Sequence, residues 1–280
     1  MPTSDNIDLR EAVNAISDVI VNRPRPIRQL DQIYMKAGDM VLQSEFVARW
    51  AQGKRLAFIG DGDAISVCVA YLHKRNIIAY GPSAITVFDF DERICNAVTR
   101  FAEKEGLSSL SSCLYNCFDP FPETEKFDCF YTNPPWGASN NGESVKVFTQ
   151  RGMEANGYGG EGTVVIADDS ELEWPQRVLS EVQGFCLENG YFTQKMMARV
   201  HSYHLDDAPE LRSCNLILKA LPNNSHRHRP SEPIVTEKRL QNFYGKDSLP
   251  RVKYVRERKT LNYGHALDEE YELELLGGHP

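Results

Sequence analysis

Arg55-Leu-Ala-Phe-Ile59 is an apolar run that breaks into Gly60-Asp-Gly-Asp63 and then into a helix-like stretch reaching about Lys74. A short buried run, a glycine-bearing turn and an amphipathic segment make one βα unit. The same texture recurs downstream. Ala84-Ile-Thr-Val-Phe88 ends at Asp89 and leads into a helical stretch from Asp91 to about Glu105. Cys113-Leu-Tyr115 is a short third strand followed by Asn116, and Phe127-Asp-Cys-Phe-Tyr131 is the fourth, running into Asn133-Pro-Pro-Trp136. Gly162-Thr-Val-Val-Ile166 is the fifth, with a helix from about Glu171 to Glu188. Tyr191 to Tyr203 and Ser213 to Ala220, separated by Asp206-Asp-Ala-Pro209, read as a closing antiparallel hairpin. The expected fold is α/β: a Rossmann-like, mostly parallel sheet of seven strands, the last antiparallel.

Outward from this unit, Ile7 to Ile20 carries apolar residues at helical spacing until Arg23-Pro-Arg-Pro26 stops it, and a second helix is expected over Leu42 to Gln52. Residues 1–53 therefore form a helical extension and residues 54–221 the sheet domain. Residues 222–280 form a tail or small subdomain that opens on linker-like Pro-Asn-Asn-Ser-His-Arg-His-Arg-Pro230. The tail is electrically polarised. Lys238 to Lys259 holds eight Lys or Arg against Asp247 and Glu257, whereas 260–280 holds five acids and neither Lys nor Arg. Such a tail leaves open both closure over the site and assembly into a homodimer.

The 280 residues are 41% hydrophobic and 25% charged, an ordinary globular balance that excludes disorder and collagen-like repeats. Seven cysteines without a Cys-x-x-Cys pair suggest neither a disulfide framework nor a zinc site, and no metal is expected; His226 and His228 lie in the linker-like stretch. No apolar run is long enough to span a membrane, and the start has no signal-like character, so a cytoplasmic protein is expected. A net charge of -8 disfavours nucleic acid and suits a cationic partner.

In a doubly wound sheet, ligands sit beyond the carboxyl ends of the strands where the strand order reverses. Gly60, Asp61 and Gly62 fall where a nucleoside cofactor would meet the backbone, although for this motif alone a tight turn with Asp63 capping the next helix is the favoured reading. Asp89 is placed to accept ribose hydroxyls, Asp91 being free to cap the helix, and Asn116 is a candidate for the adenine edge. Asn133-Pro-Pro-Trp136 is the most informative motif. Consecutive prolines stiffen the strand end, Asn133 and the carbonyl of Pro134 can accept hydrogen bonds from an amine, and Trp136 can stack on a base or face a cation.

At these residues the chain resembles S-adenosylmethionine-dependent class I methyltransferases, whose Asn-Pro-Pro-(Tyr, Phe or Trp) members modify amino or amide nitrogens. It also resembles, more closely, the branched-chain polyamine synthase family. That likeness rests on Arg23-Pro-Arg-Pro26, Leu30-Asp-Gln32 with Met35, Phe58-Ile-Gly-Asp-Gly-Asp63, Phe88-Asp-Phe-Asp-Glu-Arg93 and Phe127 through Pro135. The resemblance implies an aminopropyltransferase that takes decarboxylated S-adenosylmethionine and builds N4-bis(aminopropyl)spermidine, with Gln32 among the substrate contacts. The family usually carries Asp where this chain has Gly62 and Asn133, and Tyr where it has Trp136. It also has an N-terminal winged-helix domain, for which a fifty-residue extension is short.

Charge favours the aminopropyl reading, because Asp61 and Asp63 would attract a decarboxylated cofactor and repel the carboxylated one. Asp61, Asp63, Asn133, Pro134 and Trp136 are the expected catalytic group; Asp168 and Asp169, beyond the fifth strand, are expected to hold a small cationic amine. Two alternatives stay open: methyl transfer from S-adenosylmethionine to a nucleic-acid base or protein amide, with Phe243, Tyr244 and Tyr254 among basic residues touching a single strand, and a non-catalytic nucleoside-binding relative.

Overall fold

The computed structural model describes residues 7–122, 126–227, 229–245, 252–258 and 271–276. The basic stretch from Lys238 to Lys259 is only partly among them, and His228 and most of 260–280 lie outside the described residues.

The chain opens with α1 (Leu9–Asn22), whose first turn is capped by the Asp8 carboxylate accepting from the Arg10 and Glu11 N–H groups. A short 3-10 turn (Arg28–Leu30) and α2 (Ala37–Trp50) follow. The sheet unit then runs β1 (Arg55–Ile59), α3 (Ile65–Lys74), β2 (Ala84–Asp89), α4 (Glu92–Glu105), β3 (Leu110–Leu114), β4 (Cys129–Thr132), α5 (Glu143–Ala155), β5 (Glu161–Ala167) and α6 (Glu173–Glu188). It closes with β6 (Tyr191–Ser202) and β7 (Arg212–Ala220), after which come α7 (Glu237–Leu240) and a hairpin of β8 (Val252–Glu257) and β9 (Tyr271–Leu275).

The sheet order is β3-β2-β1-β4-β5-β7-β6, with β7 antiparallel to both neighbours and the others parallel. This is the expected Rossmann-like arrangement of the class I methyltransferases, and the order reverses between β1 and β4. Side chains alternate across the central strands. Leu56 and Phe58 of β1 pack with α1, α2 and α3, while Ala57 and Ile59 pack on the opposite layer with Val145 and Phe148 of α5 and Val178 of α6.

Several boundaries differ from the sequence expectation for identifiable reasons. β3 starts at Leu110 because Leu110, Ser111 and Ser112 are drawn into register with Ile85, Thr86 and Val87, overriding the weak strand preference of serine. Helix α2 begins at Ala37, where Asp39 in its first turn accepts from Ser202 N–H and ties it to β6. Helix α5, to which the periodicity assigned no bounds, fills the connection from β4 to β5.

The three expected segments share their cores. Ala12, Ile16, Met40 and Val47 of the extension lie in one core with Leu56 and Ile65. Ile234 and Phe243 of the tail lie in the other. The tail reads as a linker by composition, yet Arg151, fully buried, fastens it to the sheet unit: its guanidinium donates to Cys117 O at 2.9 Å, Ser231 Oγ at 2.8 Å and Glu232 O at 2.8 Å while pairing with Glu154. Among the described residues no helix is long and apolar enough to cross a membrane.

Close packing of α5 on the sheet depends on Gly152, where an added Cβ would lie 2.2 Å from the Phe130 ring. Gly152→Ala is expected to destabilise the fold by about 1–3 kcal/mol through overpacking. Gly184 in α6 has nothing within 4 Å of the same position. Gly184→Ala should be neutral or stabilising by up to about 1 kcal/mol. Denaturant unfolding of the two variants checks the contrast.

Candidate active site

The turn after β1 is built by carboxylates that accept from backbone N–H groups. Gly60 sits at φ 76, with its N–H donating to Phe88 O at 2.8 Å. Asp61, rather than Asp63, caps α3: it accepts from Ile65 N–H at 2.9 Å, from Ser66 N–H at 3.2 Å and from the Ser66 hydroxyl. Asp63 is thereby released for a different task. One of its oxygens accepts Met35 N–H at 2.7 Å and the other accepts the Asn133 side-chain N–H at 2.7 Å. The Arg23 guanidinium donates to Asp63 O at 3.0 Å and lies 4.1 Å above the Tyr34 ring, so the Arg23-Pro-Arg-Pro26 segment wraps this turn. Tyr34 packs beside Gly62, where an added Cβ would fall 3.4 Å from its ring, an ordinary contact.

At the end of β2, Asp89 accepts Asp61 N–H and Asp91 N–H, each at 2.9 Å. Asp91 caps α4 and pairs with Arg93 at 2.6 Å. Gln32 reaches the same place, but its amide is taken up structurally: Nε2 donates to Asp91 at 2.9 Å and Oε1 accepts Ile27 N–H at 2.8 Å. Gln32 lines the cavity as a clasp between the extension and the sheet. Asn116 does not line it. Its amide donates to the Val252 and Lys253 carbonyls and accepts from Phe118 N–H, so it pins β8 while its neighbours Tyr115 and Cys117 face the cavity. Nor do Asp168 and Asp169, because Arg199 takes them: Asp168 accepts Arg199 N–H at 2.8 Å, and Asp169 lies 3.4 Å from the guanidinium and accepts Glu171 N–H.

The β4 end carries Asn133, Pro134, Pro135 and Trp136 into the cavity. Trp136 packs edge-on against Tyr203, ring centroids 4.9 Å apart, and its indole N–H lies 3.4 Å from Asn133 Oδ1. The cavity between these strand ends has a volume of about 370 Å³ and also takes in Leu30, Asp31, Tyr34, Phe88, Phe90, Trp174, Asp207 and Tyr244. That size accommodates a nucleoside-sized ligand. Five carboxylates line it, Asp31, Asp61, Asp63, Asp89 and Asp207, and no Lys, Arg or His among the described residues does.

Burial makes four of these carboxyls, Asp31, Asp61, Asp63 and Asp89, weaker acids. Desolvation, with the neighbouring Asp91 charge, pushes Asp89 up to about 7 against its two backbone N–H bonds. Asp61 is driven well above the usual carboxylate range by the same desolvation, and Asp63 is raised by it, opposed by Met35 N–H and the Arg23 charge. Asp31, in the left-handed region at φ 54, is pushed up to about 6 by desolvation, with Arg28 opposing. No donor among the described residues reaches the Asp31 carboxylate, whereas Asp61, Asp63 and Asp89 have both oxygens engaged.

Sequence reading missed Asp31, Asp207 and Tyr244 as cavity residues. Tyr244 comes from the tail, where a solvated strip was the plainer expectation; it stacks on Phe90 at 4.6 Å, and its shielded hydroxyl has no partner among the described residues. The left-handed Asp31 carries no distinguishing pattern beyond the Leu30-Asp-Gln32 resemblance.

A family model described as the branched-chain polyamine synthase A C-terminal domain matches residues 11–274. The chain is 33% identical over 111 residues to an uncharacterised protein of Methanocaldococcus jannaschii, which is 39% of this chain and 25% of that one. It is 25% identical over 147 residues to the N(4)-bis(aminopropyl)spermidine synthase of Thermococcus kodakarensis, 51% of this chain and 39% of that one. The chain thus matches well under half the length of these curated relatives. The crystal structure of the branched-chain polyamine synthase from Thermus thermophilus in complex with N4-aminopropylspermidine and 5'-methylthioadenosine shares the fold, with a TM-score of 0.66 at 22% identity over 81% of this chain and 67% of that chain.

The raised carboxylates set a pH dependence of stability. Ordinary unfolded aspartates titrate near 4, so the folded, ligand-free chain binds more protons than the unfolded chain between that value and the raised ones. Their stabilising effect is complete below about pH 4 and is lost as pH rises through about 6 for Asp31 and about 7 for Asp89. Asp31→Asn, which tolerates the left-handed backbone, is expected to stabilise the ligand-free protein at pH 8 by about 1–2 kcal/mol and to flatten this fall. Melting temperatures of both proteins from pH 5 to 8 decide it.

Proposed function

The chain belongs to the branched-chain polyamine synthase A C-terminal domain family, and on that premise we propose that it transfers an aminopropyl group from decarboxylated S-adenosylmethionine to an amine nitrogen of a polyamine. The observation that carries this reading is the charge of the cavity: five carboxylates and, among the described residues, no Lys, Arg or His. Donor and acceptor are both cations that lack a carboxylate, so each is attracted, whereas carboxylated S-adenosylmethionine would bring an uncompensated negative group into the same space. The lining fits the donor chemically, with Asp89 for the ribose, the rings of Phe90, Tyr115 and Tyr244 for the nucleoside, and Asp61 and Asp63 toward the charged end.

The donor supplies a sulfonium-bound carbon, which the amine lone pair attacks as the carbon–sulfur bond breaks and 5'-methylthioadenosine leaves. The protein's part is to present a neutral amine in line. Asn133 Oδ1 accepts an amine N–H and fixes the direction of the lone pair. Asn133 can accept a hydrogen bond but takes no proton, so the proton passes to Asp63, whose buried carboxylate is raised toward a useful basicity. Asp31 and the exposed Asp207, whose one ion pair among the described residues is with Arg28 at 3.6 Å, hold the distal ammonium groups of the acceptor in place of the Asp168 and Asp169 pair.

A second reading is methyl transfer to an amino or amide nitrogen, favoured by Asn133-Pro-Pro-Trp136, which that chemistry also uses. A lining without basic side chains weighs against an acceptor carrying phosphates.

Incubation with a polyamine and each donor separates the readings by product. Aminopropyl transfer releases 5'-methylthioadenosine and consumes only the decarboxylated donor; release of S-adenosylhomocysteine from the carboxylated donor would overturn it in favour of methyl transfer. Asp63→Asn is expected to lower kcat about 100-fold or more as a proton acceptor is lost. Asp31→Asn should raise the KM of the acceptor about 10- to 100-fold with that of the donor unchanged, since a hydrogen-bonded charge pair is lost.

A further inference from the structure

Behind the cavity wall lies a chain of buried polar side chains whose hydrogen bonds run in one direction. Two groups of fixed character set it. The ionised Asp63 carboxylate can only accept, and takes one Asn133 Nδ2 hydrogen at 2.7 Å. The Trp136 indole N–H can only donate, and lies 3.4 Å from Asn133 Oδ1. The second Nδ2 hydrogen is directed to Tyr203 Oη at 3.4 Å. A phenol has one hydrogen, so Tyr203 gives its own to Ser213 Oγ at 2.9 Å, and Ser213 gives its own to His201 Nδ1 at 2.8 Å. The proton of neutral His201 then sits on Nε2 and is donated to Gln43 Oε1 at 2.7 Å. Gln43 is held by a reciprocal pair of bonds with Asn215 at 2.8 and 2.9 Å.

His201 is 2% exposed, and neither it nor Ser213, Gln43 or Asn215 lines the cavity. Burial pushes its imidazole down to about 4, with Asp39 opposing, which keeps it neutral and leaves Nδ1 able to accept. A positively charged imidazole would have no lone pair for Ser213, and the direction of every bond up to Asn133 would fail.

We propose that His201 is a positioning residue for the transfer: through Ser213 and Tyr203 it holds the Asn133 amide with Nδ2 on Asp63 and the carbonyl oxygen turned to the acceptor nitrogen. The need arises from Asn133 itself, because an amide, unlike a carboxylate, is wrong when turned over. The proposal rests on the cavity being an amine-transfer site.

The test uses the full chain. Nitrogen-resolved NMR of the histidine side chains should show His201 as the Nε2–H tautomer at neutral pH. In Asp63→Asn, where residue 63 can donate as well as accept, the tautomer ratio should move; in Asp89→Asn, beside the same cavity but outside the relay, it should not. Ser213→Ala should lower kcat about 10- to 100-fold through lost alignment while the affinity for 5'-methylthioadenosine, read by calorimetry, stays within about twofold. An Nδ1–H tautomer in the wild type, an unmoved ratio in Asp63→Asn, or an unchanged kcat in folded Ser213→Ala overturns the relay while the proposed function stands. A wild-type chain that transfers nothing overturns both.

Discussion

The Asp63 carboxylate accepts Met35 N–H from the helical extension and the Asn133 amide from the β4 end, while its own carbonyl accepts Arg23. A buried carboxylate with unfilled lone pairs is costly, so these bonds come as a set. Their consequence is that the segments around Arg23, Asp63 and Asn133, far apart in the chain, become one body. Extended pairing reinforces it where Met35 bridges Tyr203 and Lys36 N–H donates to Ser202 O. The extension thus forms part of the cavity wall through Leu30, Asp31 and Tyr34.

Most of the negative charge in the cavity is held by backbone N–H groups. Asp61 sits on the first turn of α3, and Asp89 accepts two successive loop amides. Backbone dipoles hold a carboxylate without cancelling its charge, so the cavity remains attractive to cations. Carboxylates with structural work are treated differently: Asp91 lies against Arg93 and Glu154 against Arg151, both with a full counter-charge and both outside the cavity lining. Concentrating unneutralised carboxylates costs stability in the empty protein, a familiar trade at sites that bind oppositely charged ligands.

The tail shows why composition misleads about packing. Pro, Asn, Ser, His and Arg beyond Leu221 are linker residue types, and Phe243 and Tyr244 among basic residues resemble a solvated strip. Yet the sheet unit carries buried donors that need acceptors. Arg151 supplies several guanidinium hydrogens, Asn116 a side-chain amide and Ser144 a hydroxyl, and each finds a tail carbonyl or hydroxyl. Once the backbone is drawn in, Phe243 fills space beside Phe118 and Phe148, and Tyr244 covers Phe90.

The amino-acid sequence by itself determined the sheet: β1, β2, β4, β5 and the final hairpin announce themselves because apolar runs bounded by glycine, Asp or Asn have few other uses. The same local logic located Gly60–Asp63, Asp89 and Asn133–Trp136, since strand ends at a reversal of strand order must converge. Local sequence could not decide what each polar side chain does after convergence. Asn116, Asp168 and Asp169 look like ligand contacts by position, and Gln32 by resemblance, but they are consumed by Lys253, Arg199 and Asp91. Asp31, at a left-handed backbone position, meets no hydrogen-bond donor among the described residues, and the His201 relay joins residues as far apart as Gln43 and Asn215. Hydrogen-bond partnership is settled by distance in the folded chain rather than along it, so tertiary structure alone decided which carboxylates and amides remain available to a ligand.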